Sequence, residues 1–178
     1  NQDNHTMFDS LAIAKDPSYT EHLNQHNVIQ VDFSKTPDEC NSYKDYINYI
    51  KNILVSDLEN FFGKHKNPGI SISDFLIESG QSFIFIFDEW DFCFNESFMS
   101  EPDKKNFLKF LKGLLKDRPY TDLVYMTGIL PVAKYSSGSE LNMFNEYNFM
   151  YSSVFDNYFG FNEDEVKYLC KHNESVKY

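Results

Sequence analysis

Three carboxylates fall within four positions at Asp88-Glu89-Trp90-Asp91, directly after the apolar run Phe83-Ile84-Phe85-Ile86-Phe87. A run of that length reads as a strand buried on both faces, as in the middle of a parallel sheet covered by helices. Such strands end at the carboxyl edge of the sheet, where α/β proteins place their ligand crevices. Carboxylates left there without compensation are costly to desolvate, so a cation or a set of donors is expected opposite them. The chemistry this spacing suits is that of a Walker B strand in a nucleotide hydrolase. Asp88 would hold Mg²⁺, usually through water, and Glu89 would polarise the attacking water. The same residues also fit a plain strand-end turn, its acids solvated or capping the next helix.

A chain of 178 residues suits one domain large enough to bury a core. Its 42% hydrophobic and 17% aromatic content, with 18 Phe and 12 Tyr, excludes a disordered chain. The net charge of −11 repels a phosphate backbone and gives no support for non-specific nucleic-acid binding. Cys40, Cys93 and Cys170 are widely spaced with no C-x-x-C pair, which fits reduced thiols and a cytoplasmic location. His22 and His26 lie four apart, but no intervening Glu or cysteine cluster makes them a zinc motif. No apolar stretch is long enough to span a bilayer. The start Asn1-Gln2-Asp3-Asn4 is neither a signal peptide nor an initiator methionine, so the chain reads as a piece of something longer.

The elements that must position the acids can be read along the chain. Val28–Phe33 is rich in β-branched residues and precedes Ser34, Thr36 and Pro37, which predicts a strand leading into a loop. From Tyr43, the positions Tyr46, Ile47, Ile50, Ile53, Leu54, Leu58, Phe61 and Phe62 repeat at three and four, predicting a helix of about twenty residues stopped by Gly63. A short helix from Ser73 to Ser79, ended by Gly80, leads into the Phe83 strand. Ser100-Glu101-Pro102-Asp103 has a capping residue, an early proline and acids near the positive end of the dipole. It opens a helix whose buried face is Phe107, Leu108, Leu111, Leu114 and Leu115, while Lys104, Lys105, Lys109, Lys112, Lys116 and Arg118 read as a solvated face. Leu123–Thr127 is a third strand, ended at Gly128 and Pro131. Tyr135 to Tyr151 carries mixed signals and no assignment, and Asn162 starts a last helix with Val166, Leu169 and Cys170 inward. This order predicts an α/β layered fold with right-handed crossovers.

With these motifs placed, the sequence resembles the predicted AAA-ATPase-like family, P-loop proteins often joined to a nuclease-like domain of the PD-(D/E)XK type. Val28-Ile29 with Asp32-Phe33 resembles the strand after the P-loop helix region, and Phe83 to Asp91 resembles the family's Walker B, with Trp90 replacing a Tyr. Thr127–Val132 resembles the Thr-Gly segment, its threonine standing where AAA-type enzymes carry a sensor of the γ-phosphate. Leu141-Asn142, Glu146-Tyr147 and Phe159–Val166 resemble the stretch that follows, so the similarity runs from about Phe8 to Leu169. The resemblance implies a layered P-loop NTPase-like parallel sheet with flanking helices, with ATP and Mg²⁺ as cofactors. It implies Asp88 as the metal and cofactor ligand, and Glu89 and Thr127 as catalytic residues. It also implies a nucleotide, and either further copies of the chain or an attached nuclease-like domain, as partners. Residues 1–161 would form the partial ATPase-like domain and 162–178 the start of a helical region.

The chain departs from the family in one respect: no G-x-x-x-x-G-K-[ST] motif is present, and Gly63-Lys64 is followed by His65 with Leu58 in place of the first glycine. The expectation is therefore a domain truncated before the P-loop strand, which alone should not hydrolyse ATP. Asp91 either orients the surroundings of Asp88 or caps the following segment. Arg118, the only arginine, is the one residue able to serve as an arginine finger, or it decorates a loop. Trp90 and Tyr147 are expected to pack rather than stack on a base. Two rival functions stand beside the ATPase: a degenerate nucleotide-fold interaction domain without hydrolysis, and a metal-dependent nuclease using Asp88, Glu89 and Asp91. The nuclease is weakened because adjacent strand residues point to opposite faces.

Overall fold

The computed structural model describes residues 6–132, 141–148, 150, 154–155 and 158–173. Residues 135–140, 149 and 151 of the unassigned stretch, the Asn1–Asn4 start and the tail from 174 lie outside the described residues. The chain divides into two compact units, Asn1–Asn142 and Met143–Tyr178.

In the first unit a short 3-10 turn, Ala12–Lys15, and a one-turn helix α1, Tyr19–His22, precede strand β1, Asn27–Asp32. Helix α2 covers Tyr43–Phe62. It starts where the Ser42 side chain accepts from the Asp45 N–H, and stops at Gly63, whose φ of 87° only glycine adopts without strain. Its buried stripe is Tyr46, Ile47, Ile50, Leu54 and Leu58. The predicted stripe ran on to Phe61 and Phe62, but Phe61 is 63% exposed. Phe62 reaches back to Phe83, the first residue of the next strand, at 6.1 Å between ring centroids, so the last turn lies at the sheet's amino edge, where Phe61 meets the Phe62 ring at 4.8 Å and stays otherwise exposed.

Helix α3, Ile72–Glu78, is capped by Ser71. Strand β2, Phe83–Asp88, runs to the first acid. Helix α4, Glu101–Leu115, opens with a reciprocal capping box between Ser100 and Asp103, carries Pro102 in its first turn, and buries the five residues its periodicity predicts. Strand β3, Thr121–Met126, completes a three-stranded parallel sheet in the order β1-β2-β3.

That order dictates where the core lies. Strands added in one direction with right-handed crossovers place every connecting helix on the same face. Phe83, Phe85 and Phe87 point to that face and are buried. Rings from α2 (Tyr46, Phe62), α3 (Phe75) and α4 (Phe107), with Phe33, close over them in edge and tilted contacts of 5.1–6.4 Å. On the other face Ile84 and Ile86 are half-buried, and their register neighbours Val28, Leu123 and Tyr125 are exposed. The expectation of a strand buried on both faces is thus met on one face only, because the described residues place no helix on the second.

In the second unit, helix α5, Glu163–His172, begins at a capping box between Asn162 and Glu165. It has no buried residue: Val166 and Cys170 are half-buried and Leu169 is 47% exposed, so the predicted inward stripe is not covered. None of the helices among the described residues is long and apolar enough to cross a membrane.

Candidate functional site

Asp32 and Asp88 are the last residues of β1 and β2 and are register partners across the parallel pair. Thr127 follows β3, and its N–H continues the ladder by donating to the Phe87 carbonyl at 2.8 Å. Val31, Phe87 and Met126 face the helices, so strand alternation sends Asp32, Asp88 and Thr127 toward the open face, in one row along the carboxyl edge.

Within this row the Thr127 hydroxyl donates to Asp88 Oδ1. The Glu89 N–H donates to the same oxygen at 3.1 Å. Asp88 is exposed, and its Oδ2 takes no hydrogen bond from the described residues. Asp32 is differently occupied. Its Oδ1 accepts from the Ser34 hydroxyl at 2.6 Å and the Ser34 N–H at 3.0 Å, and Lys35 Nζ lies 3.4 Å from Oδ2. The Ser34 hydroxyl, more than any other contact, holds the Asp32 carboxyl below its ordinary range.

Glu89 leaves the strand at a φ of 53°. For a residue with a Cβ this left-handed backbone costs about 1–2 kcal/mol, and such positions cluster at working sites. Phe92 N–H donates to the Glu89 carbonyl at 2.9 Å and closes the turn. The strand has ended at Asp88, so simple alternation does not govern Glu89. Glu89 as a residue is half-buried, and its carboxylate takes no hydrogen bond from the described residues.

The next two residues clamp the site. Trp90 is 2% exposed, donates its backbone N–H to the Thr127 carbonyl at 3.1 Å, and packs on Phe94 at 5.4 Å. Asp91 is 2% exposed, and its carboxylate accepts from the Ile129 N–H at 3.1 and 3.2 Å and the Leu130 N–H at 2.6 Å. It does not cap the 3-10 turn Phe92–Asn95 that follows it. Gly128 is the residue that admits this approach: a Cβ there would stand 2.5 Å from Asp91 Oδ1 and from Trp90 Cδ1. Cys93, fully buried behind the turn, has its thiol pushed up to about 12 by burial.

Several candidates lie elsewhere. Arg118 donates from Nε to the Gly113 carbonyl at 2.7 Å and precedes β3, at the amino edge. Six residues of strand put that edge roughly 20 Å from Thr127, so Arg118 does not join the row. Tyr147 packs on Phe155 at 4.8 Å. His22 Nδ1 and His26 Nε2 lie 2.9 Å apart. Among the described residues no group of three or more His, Cys, Asp or Glu is placed to hold a metal ion. Asp91 spends both oxygens on backbone donors, so the nuclease set of Asp88, Glu89 and Asp91 does not converge.

The donors fit one half of a magnesium nucleotide. Asp88 offers an open carboxylate oxygen beside a hydroxyl, the hard oxygen ligands Mg²⁺ takes. A lysine-bearing glycine loop able to cradle the phosphates has no counterpart in the sequence. Asp32 is the site residue that sequence reasoning passed over. Its signal was present, since Val28–Asp32 ends in an acid as Phe83–Asp88 does.

No curated protein and no solved structure matches the chain. The family model described as Predicted AAA-ATPase matches residues 1–137. That span holds all three strands, Asp32, the Asp88–Asp91 turn and Thr127-Gly128, and it covers well over half of the sequence. The chain belongs to the predicted AAA-ATPase family.

Proposed function

We propose that this chain supplies the Walker B and sensor edge of an ATP-hydrolysing domain. Asp88 is the Mg²⁺ ligand, Glu89 the residue that activates water, and Thr127 the sensor. The observation that carries this reading is the row at the carboxyl edge, in which the Thr127 hydroxyl and the Glu89 N–H fix one oxygen of Asp88 while the other stays open.

The sheet supports a phosphate-holding strand upstream. A strand pairing with the open edge of β3 and returning to β1 would cross the sheet opposite to the β1-to-β3 progression. Its right-handed connection would therefore lie on the face that Val28, Ile84, Ile86, Leu123 and Tyr125 leave uncovered. The strand order would then reverse beside β3, making a crevice next to Thr127 and Asp88.

When bound, Mg²⁺ neutralises charge on the transferring phosphoryl group. The chain's own residues do the rest. Asp88 is oriented before any ligand arrives, so its ordering entropy is already met. Glu89 stands on a turn closed by its own carbonyl, with a carboxylate available to take a proton from water. Thr127 has one hydroxyl proton, which serves either Asp88 or a phosphate oxygen, and that choice makes it responsive to the nucleotide.

The test is a protein extended upstream through the phosphate-binding loop. It is expected to bind Mg·ATP and turn it over. Glu89→Gln should keep binding within a few-fold and lose on the order of 10²–10⁴ in turnover, the share typical of a general base. Absence of nucleotide binding would instead favour the interaction domain, and Mg²⁺-dependent cutting of DNA by the present chain would favour the nuclease.

A further inference from the structure

We infer that Asp91 is a positioning residue. It holds the segment after β3 so that the Thr127 hydroxyl is delivered to Asp88. The functional consequence rests on the nucleotide reading above, whereas the structural claim does not.

A buried carboxylate needs donors, and Asp91 finds them 38 and 39 residues away in the backbone of Ile129 and Leu130. These three contacts begin two residues beyond Thr127. On the near side Thr127 is pinned through its own N–H to Phe87 and through its carbonyl to Trp90. Between the two anchors stands Gly128, whose missing side chain is what allows Asp91 and Trp90 to close on the backbone. Thr127 is therefore held on both sides by the turn that carries Asp88. Hydrogen bonds to a charged, buried acceptor are the strong kind, so the clamp resists rotation about the Thr127–Gly128 junction. Without it only the strand-side contacts would remain, and the hydroxyl would no longer be aimed at Asp88.

The substitution Asp91→Asn removes the charge and replaces one acceptor oxygen by an NH₂ group, which faces the Ile129 N–H at the Oδ1 position and both N–H donors at the Oδ2 position. In the full 178-residue chain, three-bond NMR couplings to Thr127 Cγ2 should report one χ1 rotamer for wild type and an average over rotamers for Asp91→Asn. The Ile129 and Leu130 amides should exchange about tenfold faster or more, in line with loss of a charged acceptor. Asp91→Ser, run in parallel, should behave alike. A single retained rotamer in a folded variant would overturn the inference, because Asp91 would then lend stability alone. Unfolding of both variants would overturn it too, by making Asp91 a support of the whole domain. In the upstream-extended protein, Asp91→Asn should leave the Kd for Mg·ATP within about twofold and lower turnover about tenfold. That loss should vanish in a Thr127→Val background, whereas additive losses would mean that the two residues act independently. Failure of the wild-type extended protein to bind Mg·ATP would end the nucleotide reading, with the rotamer result still deciding the placement of Thr127.

Discussion

Gly128→Ala should destabilise the domain far more than a single methyl group suggests. The added Cβ would sit 2.5 Å from Asp91 Oδ1, 2.5 Å from Trp90 Cδ1 and 2.6 Å from Trp90 Nε1. Neither neighbour is a flexible tip, since both side chains are about 2% exposed. Overpacking of this kind costs about 1–3 kcal/mol, and weakening a buried carboxylate's contacts with Ile129 and Leu130 adds about 1–2 kcal/mol. The backbone of Gly128 is not left-handed, so alanine recovers roughly 0.4–1 kcal/mol through the unfolded chain. The net expectation is a loss of about 1–4.5 kcal/mol, or roughly 2–18 °C in Tm for a chain of this size. Urea unfolding followed by fluorescence reads it directly, because Trp90 is the only tryptophan and forms one wall of the contact. Gly113→Ala is the internal control. It lies within α4 with nothing within 4 Å of its Cβ position, so the same change should stabilise by about 0.5–1 kcal/mol. A Gly128→Ala loss below about 0.5 kcal/mol, or two shifts of the same sign, would refute the close-approach argument.

Two further outcomes follow from burial and charge. Cys93, buried and with its thiol raised to about 12, should resist iodoacetamide at pH 8 in the native chain and react only on unfolding, as read by peptide mass mapping; native-state labelling at a rate like that of Cys170 would contradict its placement. Asp32 has a folded pKa below its unfolded value, chiefly through the Ser34 hydroxyl, so it contributes stability that is in place above the ordinary carboxylate pKa of about 3.9 and is lost as pH falls through the lower folded value. Asp32→Asn should therefore flatten the acid limb of a stability profile below pH ~4 while changing its slope little at neutral pH, and an unchanged acid limb would show that the Ser34 contact has no such effect.

The local grammar of the chain was legible where one segment settles its own fate. Ser100-Glu101-Pro102-Asp103 carries all the parts of its capping box within one helical turn, and Gly63 marks a helix end that only its own backbone decides. The Phe83–Asp88 strand, its acid terminus and the parallel order were also readable. What could not be read depends on distant partners. The run Phe83–Phe87 looks the same whether one or two layers of helix cover it, so the half-covered Ile84 and Ile86 gave no warning. Val166 and Leu169 keep helical spacing, yet spacing does not supply a surface to pack on. Of the two roles Asp91 offered in sequence, its side chain does not cap the next turn, and the way it could bear on the surroundings of Asp88 was hidden, because its partners lie 38 and 39 residues on, a separation that no window of local pattern spans.

On the proposed role of Glu89, its backbone makes this position a trade between durability and reactivity. Glycine would relieve about 1–2 kcal/mol of crowding at that φ, yet would remove the carboxylate proposed to take a proton from water. A search for heat-hardened variants would thus drift toward a sturdier chain that is chemically silent at residue 89, whereas a search for turnover would keep the ill-fitting glutamate.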